Sequence, residues 1–539
     1  MTGRQTTIYN MATNRRRLLT GAGAAGVGAA ALALVGCGSD SNSATPSTSG
    51  SASSPSVAAT AAPKKGGRLK FGASAPLLNA NPPYSINSVN NLTPAIWDTL
   101  FGFTDTKLTP GPRLASGFEF NGDKSEITVA LKPNLTFHSG KAIDAQAVVD
   151  SFNSLSAKTT PTSQVRGVAA AYVQSAAAVD ASHVKFVLKK PGDLIFDMFN
   201  YWNIANAANI EDLAKGGLPD GSGPFKVVSN TPQQGAKLDA FPGYWQPALL
   251  DGIDYMIYPS ESSLVLAQKS NGIDIAFGIN ANDAKALDGA YKVIATSGFD
   301  AFFTVRFNVK GEVVGDKRVR QAIFHAIDRK RATDGVFLGY ATPAVSIWPP
   351  TSEAFDPKYK TDPLDTAMAK QLLSAAGMAG GTPEIEMLCN SDDSGSKDLF
   401  QFYQADLANV GVKLKLNPKP RAAATKEFIS GAYPGGDAGL MGFTWMHPAT
   451  GIFMSQQLTI PNSSNFDTPE YEAFQKQIVE ASTDEARAAA YKTFNQIWDD
   501  QLWTFPVCNN PSLYAVNKKV VGFDVDVFGT PQFEGASFA

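Results

Sequence analysis

Two Ser-x-x-Lys segments have the spacing that serine acyl enzymes use to place a nucleophile beside its lysine base. They run from Ser182 to Lys185 and from Ser394 to Lys397, and Ser151 opens a Ser-x-Asn element that precedes both. No Lys-Thr-Gly follows, and the chain lacks Gly-x-Ser-x-Gly, His-Glu-x-x-His and a phosphate-binding glycine loop. We therefore expect no enzyme, and an exported serine acyl enzyme is the weakest of the alternatives.

Histidine and cysteine spacing predicts no metal site. The four histidines are scattered, and no two cysteines have the Cys-x-x-Cys spacing that holds zinc. We expect neither a metal nor any other cofactor, and a metal held through an organic chelator stays open. Cys389 and Cys508 could form a disulfide outside the cell, but two buried thiols are favoured. The histidines are His138, His183, His325 and His447.

The third cysteine, Cys37, closes an N-terminal segment that is typical of export. Residues 14–37 are basic at first and then weakly apolar and rich in glycine and alanine, too short and too polar for a membrane-spanning helix. Arg15 and Arg16 resemble a twin-arginine pair, and Leu-Val-Gly-Cys resembles a lipobox whose cysteine is lipidated. We expect a signal peptide over 1–37, with either Met1 or Met11 as the start.

A disordered tether is predicted over residues 38–65, which contain almost nothing that could be buried. Together with the lipid on Cys37, such a tether would hold a folded body at the outer face of the cytoplasmic membrane, in the cell envelope. The membrane would be contacted through this anchor alone.

Composition describes the body itself. The chain has 539 residues, more than one hydrophobic core usually supports, so at least two lobes are expected. Because hydrophobic residues make up 44% and charged residues 18%, the body should be globular rather than disordered. The net charge is −3, with no long basic run beyond the N-terminus, which argues against nucleic acid as a partner.

Hydrophobic periodicity indicates alternating strands and helices. Strands are predicted at 68–73, 125–133 and 183–191, where β-branched and aromatic residues lie between turn signals. A helix is predicted from Asp316 to Arg329, and further helices over 365–376 and after a Ser482/Glu485 capping box. This pattern predicts an α/β fold. The core face of the first helix consists of Val319, Ala322, Ile323, Ala326 and Ile327.

Seven segments, in order, resemble the family 5 extracellular solute-binding proteins, the oligopeptide, dipeptide and nickel-binding components of ABC importers. The resemblance covers about residues 66–525, and its segments are 127–155, 221–227 (GSGPFKV), 241–246, 269–277, 316–331, 348–350 (WPP) and 369–377. Most of these residues should be structural: Gly221, Gly223 and Pro224 should set a turn, and Arg320 and Asp328 should serve packing or pairing.

The resemblance implies a two-lobed type II periplasmic-binding-protein fold of cluster C, with the lobes joined by hinge strands. Lobe I would comprise 66–300 plus 506–539 and lobe II 301–505, with crossovers near 302–308 and 503–508. It also implies a monomer that captures a peptide or peptide-like small organic solute in the interlobe cleft and delivers it to the permease and ATPase subunits of an ABC importer. A ligand-sensing receptor on the same fold is the alternative.

The segment 438–447 is the first candidate for ligand contact. In the family the equivalent strand leads to an aspartate that binds a peptide ammonium group, whereas here Phe443 and Trp445 are followed by His447 and no acid. A buried ammonium without a carboxylate is costly, so the ligand is predicted to lack a free α-ammonium group, to stack on Trp445 and to hydrogen-bond His447. Asp437 and Asp393 are not expected to substitute.

Four more residues are candidates for the cleft by position. They are Trp202, Trp348 before the double proline, and the early-loop residues Tyr84 and Asn81.

Overall fold

The computed structural model of the chain describes residues 64–75, 77, 92–157, 163–297, 301–391, 393–442, 446–526 and 528–539. The predicted signal peptide with Cys37 and nearly all of the tether lie outside the described residues. The candidates Asn81, Tyr84, Phe443 and Trp445 lie outside them as well.

The strands up to residue 516, in chain order, are β1 (Arg68–Ala73), β2 (Phe101–Phe103), β3 (Pro110–Pro112), β4 (Ala115–Phe120), β5 (Glu126–Leu131), β6 (Val173–Ala178), β7 (His183–Leu188), β8 (Phe225–Thr231), β9 (Gly235–Ala240), β10 (Gly252–Ile257), β11 (Ile275–Phe277), β12 (Lys292–Ala295), β13 (Ala301–Phe307), β14 (Glu384–Asn390), β15 (Lys413–Lys419), β16 (Gly436–Gly442), β17 (Thr504–Asn509) and β18 (Leu513–Val516). Strands β2 and β3 form a separate antiparallel pair. Short strand pairs follow at the C-terminus, 520–521 with 537–538 and 524–525 with 531–532.

The helices, in chain order, are α1 (Thr93–Ile96), α2 (Ala145–Ser156), α3 (Gln164–Tyr172), α4 (Ile195–Tyr201), α5 (Ile210–Ala214), α6 (Glu261–Lys269), α7 (Ala281–Leu287), α8 (Lys317–Ala326), α9 (Arg329–Phe337), α10 (Thr366–Ala375), α11 (Ser394–Ala408), α12 (Arg421–Ser430), α13 (Pro448–Met454), α14 (Pro469–Glu480) and α15 (Asp484–Gln501).

Three larger sheets organise these elements. A seven-stranded sheet has the order β12-β18-β11-β1-β10-β9-β8, a five-stranded sheet the order β15-β14-β16-β13-β17, and a four-stranded sheet the order β4-β5-β7-β6. Parallel and antiparallel pairs mix, since β1 runs parallel to β10 and β11 while β8 and β9 form an antiparallel hairpin. The architecture is therefore α/β, as predicted.

The chain passes between the seven-stranded and five-stranded sheets twice. It leaves the first after β12 and enters the second at β13, and it returns between β17 and β18. The segments predicted as crossovers, 302–308 and 503–508, coincide largely with β13 and β17, which pair antiparallel inside the five-stranded sheet. The connections therefore lie next to these strands rather than within them.

One continuous hydrophobic core joins the four-stranded and five-stranded sheets with their helices, and another underlies the seven-stranded sheet. Trp202 belongs to the first core. It has no exposed surface, and its ring packs edge-on against Phe152 and Phe186. Trp202 was predicted to reach the cleft, but it is a residue of the hydrophobic core.

The helix predicted from Asp316 to Arg329 is in fact two helices. Asp316 caps α8 by accepting a hydrogen bond from the Arg318 amide, and Asp328 caps α9 by accepting one from the Arg331 amide. The second cap ends the first helix at Ala326. The predicted apolar face is nevertheless right, because all five of its residues are buried.

Two other helix predictions needed smaller corrections. Helix α10 begins after Asp365 as predicted and Gly377 stops it at φ +80°, but its last residue is Ala375, one before the predicted end. Thr483, one residue after the predicted cap, accepts the hydrogen bond from Ala486 that begins α15. A neighbouring serine and threonine offer the same capping chemistry, so sequence alone did not separate them.

Two segments of the family resemblance pack on each other. The His138 amide donates to the Gly221 carbonyl at 2.9 Å, the Gly221 amide donates to Nδ1 of His138 at 3.3 Å, and Nε2 of the ring donates to the Gly223 carbonyl at 3.0 Å. Burial lowers the pKa of His138 to about 4, so the imidazole is neutral, as this donor–acceptor pattern requires. These residues hold the fold together.

Arg320 has a packing role, as predicted. Its guanidinium is buried and donates to the carbonyls of Val314, Gly315 and Gln501 at 2.8–2.9 Å. It thereby ties α8 to the end of α15.

We predict that Gly221→Ala destabilises the protein by about 1–3 kcal/mol. A Cβ at this position would lie 2.0 Å from the Ile96 carbonyl oxygen, which is backbone and cannot rotate away. Urea unfolding measures the change, with Gly122→Ala as control because a Cβ there meets nothing within 4 Å. Equal stability of the two variants would contradict the packing role.

Candidate ligand-binding cavity

A cavity of about 350 Å³ lies where several separate chain segments meet. The segments are the turn at 106–108, Asp193 ahead of α4, the loop 347–353, residues 446–451 and the first turn of α15. A volume of this order suits a small organic molecule. The side chains that give the lining its chemistry are Lys107, Asp193, Trp348, Glu353, His447 and Arg487.

Behind the cavity wall lies a buried carboxylate, Asp197 on α4, with no exposed surface. It accepts hydrogen bonds from Nδ1 of His447 at 2.9 Å, from the His447 amide at 3.1 Å and from the Thr450 hydroxyl. The Tyr172 hydroxyl donates in turn to Thr450 at 2.8 Å. Two regions 250 residues apart in sequence are thus joined by one carboxylate.

His447 is positively charged at neutral pH. Burial alone would lower its pKa, but the charge and hydrogen bond of Asp197, with Asp193 and Glu353 nearby, raise the pKa to about 9. Nδ1 is committed to Asp197, whereas Nε2 makes no hydrogen bond to the described residues. The ring lines the cavity with 14% of its surface exposed.

Two carboxylates pair with Arg487 on the cavity wall, Asp484 from its own helix and Asp193 from the segment ahead of α4. Its buried guanidinium donates through Nη2 to Asp193 at 3.2 Å and to Asp484. Burial opposes the charge, but these carboxylates raise the pKa of Arg487 further. Glu353 accepts a hydrogen bond from the Tyr491 hydroxyl at 2.8 Å. The cavity therefore contains acids that can pair with a ligand ammonium group, because Asp193, Glu353 and Asp484 reach it from outside segment 438–447.

The two acids weighed from sequence serve the fold instead. Asp437 is buried and ion-paired with Arg306, directly opposite it in the β13–β16 ladder. Asp393 caps α11 by accepting a hydrogen bond from the Ser396 amide at 3.2 Å. Neither lines the cavity.

Of the sequence-predicted ligand residues that the structure describes, His447 and Trp348 meet at the cavity. Trp348 is nearly buried and its ring packs edge-on against Phe494 at 5.5 Å, which fixes its orientation. Asp193, Glu353 and Arg487 were missed. Glu353 follows the Trp-Pro-Pro segment by a few residues, and this proximity is the only signal that sequence offered.

The described part of the chain contains no group of three or more His, Cys, Asp and Glu side chains placed to hold a metal ion. Cys389 and Cys508 are both buried and free. They lie on β14 and β17, which β16 and β13 separate, so they cannot pair. Burial raises the pKa of Cys508 to about 12 and that of Cys389 to about 11, which makes both thiols inert.

Comparison with known proteins identifies the family to which this chain belongs. The family model of bacterial extracellular solute-binding proteins, family 5 (middle region), matches residues 109–456, more than half of the chain. The chain belongs to this family. Its fold is the type II periplasmic-binding-protein fold, and among the described residues no helix has both the length and the apolar character that crossing a bilayer demands.

Individual proteins are similar to this chain over most of their own length. The glutathione-binding protein GsiB of Escherichia coli K12 is 25% identical over 462 residues, covering 82% of this chain and 89% of that protein. Heme-binding protein A of Haemophilus influenzae is 24% identical over 485 residues, covering 84% and 88%. The ABC transporter substrate-binding protein CtaP of Listeria monocytogenes superposes with a TM-score of 0.78 at 23% identity, covering 88% of this chain and all of that one.

We predict that the His447–Asp197 pair makes the protein less stable as pH rises. The pKa of His447 is 6.5 when unperturbed and about 9 in the fold, so its contribution is complete below about pH 6.5 and disappears as pH rises through 9. The loss is at most about 3 kcal/mol. Urea unfolding at pH 6–10 measures it, and His447→Gln should remove this component. An identical pH profile in the variant would refute the pairing.

Proposed function

We propose that this protein is the substrate-binding lipoprotein of an ABC importer and captures a peptide or peptide-like small organic solute in the cavity. One observation carries the proposal: the cavity combines an aromatic wall at Trp348 with charged side chains of both signs. Enclosure by apolar surface with a few oriented polar groups is the usual form of a small-molecule site. The relatives named above bind different cargoes, so the family alone does not choose the solute.

The cavity would lie between two lobes, 66–300 plus 506–539 and 301–505. Lys107 and Asp193 come from the first range, whereas Trp348, Glu353 and His447 come from the second. A solute that contacts both walls favours the closed arrangement, and a permease can then recognise the closed shape. The Asp197–His447 contact crosses the same boundary and would form on closure.

The charges of the lining favour a solute with both a cationic and an acceptor group. Asp193 and Asp484 already pair with Arg487, while Glu353 has only a neutral hydroxyl donor, Tyr491. Glu353 is therefore the carboxylate best able to receive a cation. An aromatic wall at Trp348 adds stacking or cation–π attraction.

Attachment to the membrane would use the N-terminal segment. In this proposal the chain is exported by the twin-arginine route, lipidated at Cys37, and held by its tether at the outer face of the cytoplasmic membrane. The body acts as a monomer that delivers solute to permease and ATPase subunits.

We further propose that the solute is released unchanged. The first Ser-x-x-Lys segment does not form a nucleophile–base pair, because Lys185 pairs with Glu126 at 3.4 Å and Ser182 hydrogen-bonds Asp180 at 3.0 Å. The Ser394 segment begins α11, whose N-terminal turn is capped by Asp393. Neither arrangement activates a serine.

The test begins with mass spectrometry of what copurifies with the mature chain, followed by calorimetry with the solute identified. Glu353→Gln should weaken binding about tenfold, the equivalent of ~1.4 kcal/mol, because a charge-assisted contact is lost. Gln keeps the acceptor for Tyr491, so the fold should be unaffected. Glu312→Gln, an exposed carboxylate away from the cavity lining, is the matched control.

Unchanged affinity in Glu353→Gln would contradict the role of Glu353 as the carboxylate that receives a cationic group of the solute. Failure to retain or bind any small solute would contradict the proposed function itself.

A further inference from the structure

The His447 ring is held in one orientation by Asp197 and Phe103. Asp197 receives both the ring Nδ1–H and the backbone amide of His447, and Phe103 packs edge-on against the ring with centroids 5.9 Å apart. Asp197 is itself fixed by Thr450, which Tyr172 supports. The direction of the second nitrogen, Nε2, is thereby determined, and the ring borders the cavity.

The charged groups around the His447 ring keep it protonated, and its Nε2–H has no hydrogen-bond acceptor among the described residues. Three carboxylates stabilise the charge: Asp197 on α4, Asp193 just before α4, and Glu353 on the loop 347–353. Lys107 and Arg487 line the same cavity and oppose it. A protonated imidazole has no acceptor, so Nε2 can only donate.

We propose that His447 is a specificity-determining residue that donates its Nε2–H to an anionic group of the solute, a carboxylate, and that Asp197 is the residue that positions and charges it. This inference rests on the proposed function and names the chemistry at one wall of the same cavity.

A carboxylate fits this wall better than a neutral or cationic group. An N⁺–H···O⁻ bond is about twice as strong as a neutral one, and an ammonium group would meet a like charge. Arg487 lines the same cavity as a second cation, which also favours an anionic group over a cationic one at this wall. Of the nearby acids, Asp193 and Asp484 are paired with the Arg487 cation, whereas Glu353 has only the neutral Tyr491 hydroxyl as donor and stays able to receive a cationic group of the same solute.

Proton loss would reverse the role of Nε2. Asp197 keeps the remaining proton on Nδ1, so in neutral His447 the nitrogen Nε2 becomes an acceptor and repels a carboxylate. Carboxylate binding should therefore be strong below the pKa of His447, about 9, and fade above it.

Acetate and acetamide are the matched probes, because they differ in charge but little in size. In the full mature chain with ring-labelled histidines, acetate should shift the His447 signals saturably, whereas acetamide should not. His447→Gln assigns the signals, and only four histidines are present. The acetate affinity should be about tenfold weaker at pH 10 than at pH 8, following the protonated fraction of a group with pKa near 9.

Asp197→Asn tests the positioning role. The amide still accepts a hydrogen bond but carries no charge, so the pH midpoint of acetate binding should fall by about 1–3 units. Asp180→Asn, beside the exposed His183, is the control and should leave the midpoint unchanged. A midpoint that does not move in folded Asp197→Asn would overturn the role of Asp197.

Equal responses to acetate and acetamide, or no saturable response at His447 below pH 9, would overturn the carboxylate assignment, and the wild-type chain alone decides this. A copurifying solute that lacks any anionic group would also overturn it. That last result would leave solute capture, and so the proposed function, intact.

Discussion

A carboxylate without exposed surface must be paired within the fold, and Asp197 is paired by His447, 250 residues further along the chain, and by Thr450. Removing one partner of a buried ion pair commonly costs ~3–5 kcal/mol, because the other charge is stranded. Asp197 therefore ties α4 to the segment that leads into α13 more strongly than apolar contact alone would. The cavity wall, the charge of His447 and the orientation of its ring all follow from this contact.

The residues that make the chain resemble its family are mostly different from those that line the cavity. His138, Gly221 and Gly223 pack against each other and against the backbone of Ile96. The lining side chains come instead from loops and helix starts, where substitution changes ligand chemistry without disturbing the sheets. The names of two relatives state cargoes as different as glutathione and heme.

Sequence reasoning found what depends on local pattern. Apolar periodicity located the strand at Arg68–Ala73 and the buried face of α8, and ordered segments identified the family. It failed where a local choice had two equivalent answers, as with Ser482 and Thr483, or where a cap inside a periodic stretch divided one helix in two, as Asp328 does. Apolar periodicity shows which face is buried, but it does not reveal a capping residue inside a periodic stretch.

The cavity was harder to predict because its chemistry is assembled over long sequence separations. His447 and Trp348 could be named from aromatic and histidine positions near recognisable segments. Asp197, the carboxylate that raises the pKa of His447, is 250 residues away on α4. Arg487 lies in the first turn of a different helix, α15. Looking only along the segment 438–447 led to the expectation of a site without acids, whereas the fold brings three to the wall.

Hydrogen exchange of the mature chain, with and without the solute that copurifies, tests most directly whether this cavity closes around a ligand. We expect the solute to slow exchange together in α4, in the loop at 347–353 and in α13, while exchange in the seven-stranded sheet changes little. Unaltered exchange in all three segments at saturating solute would contradict it.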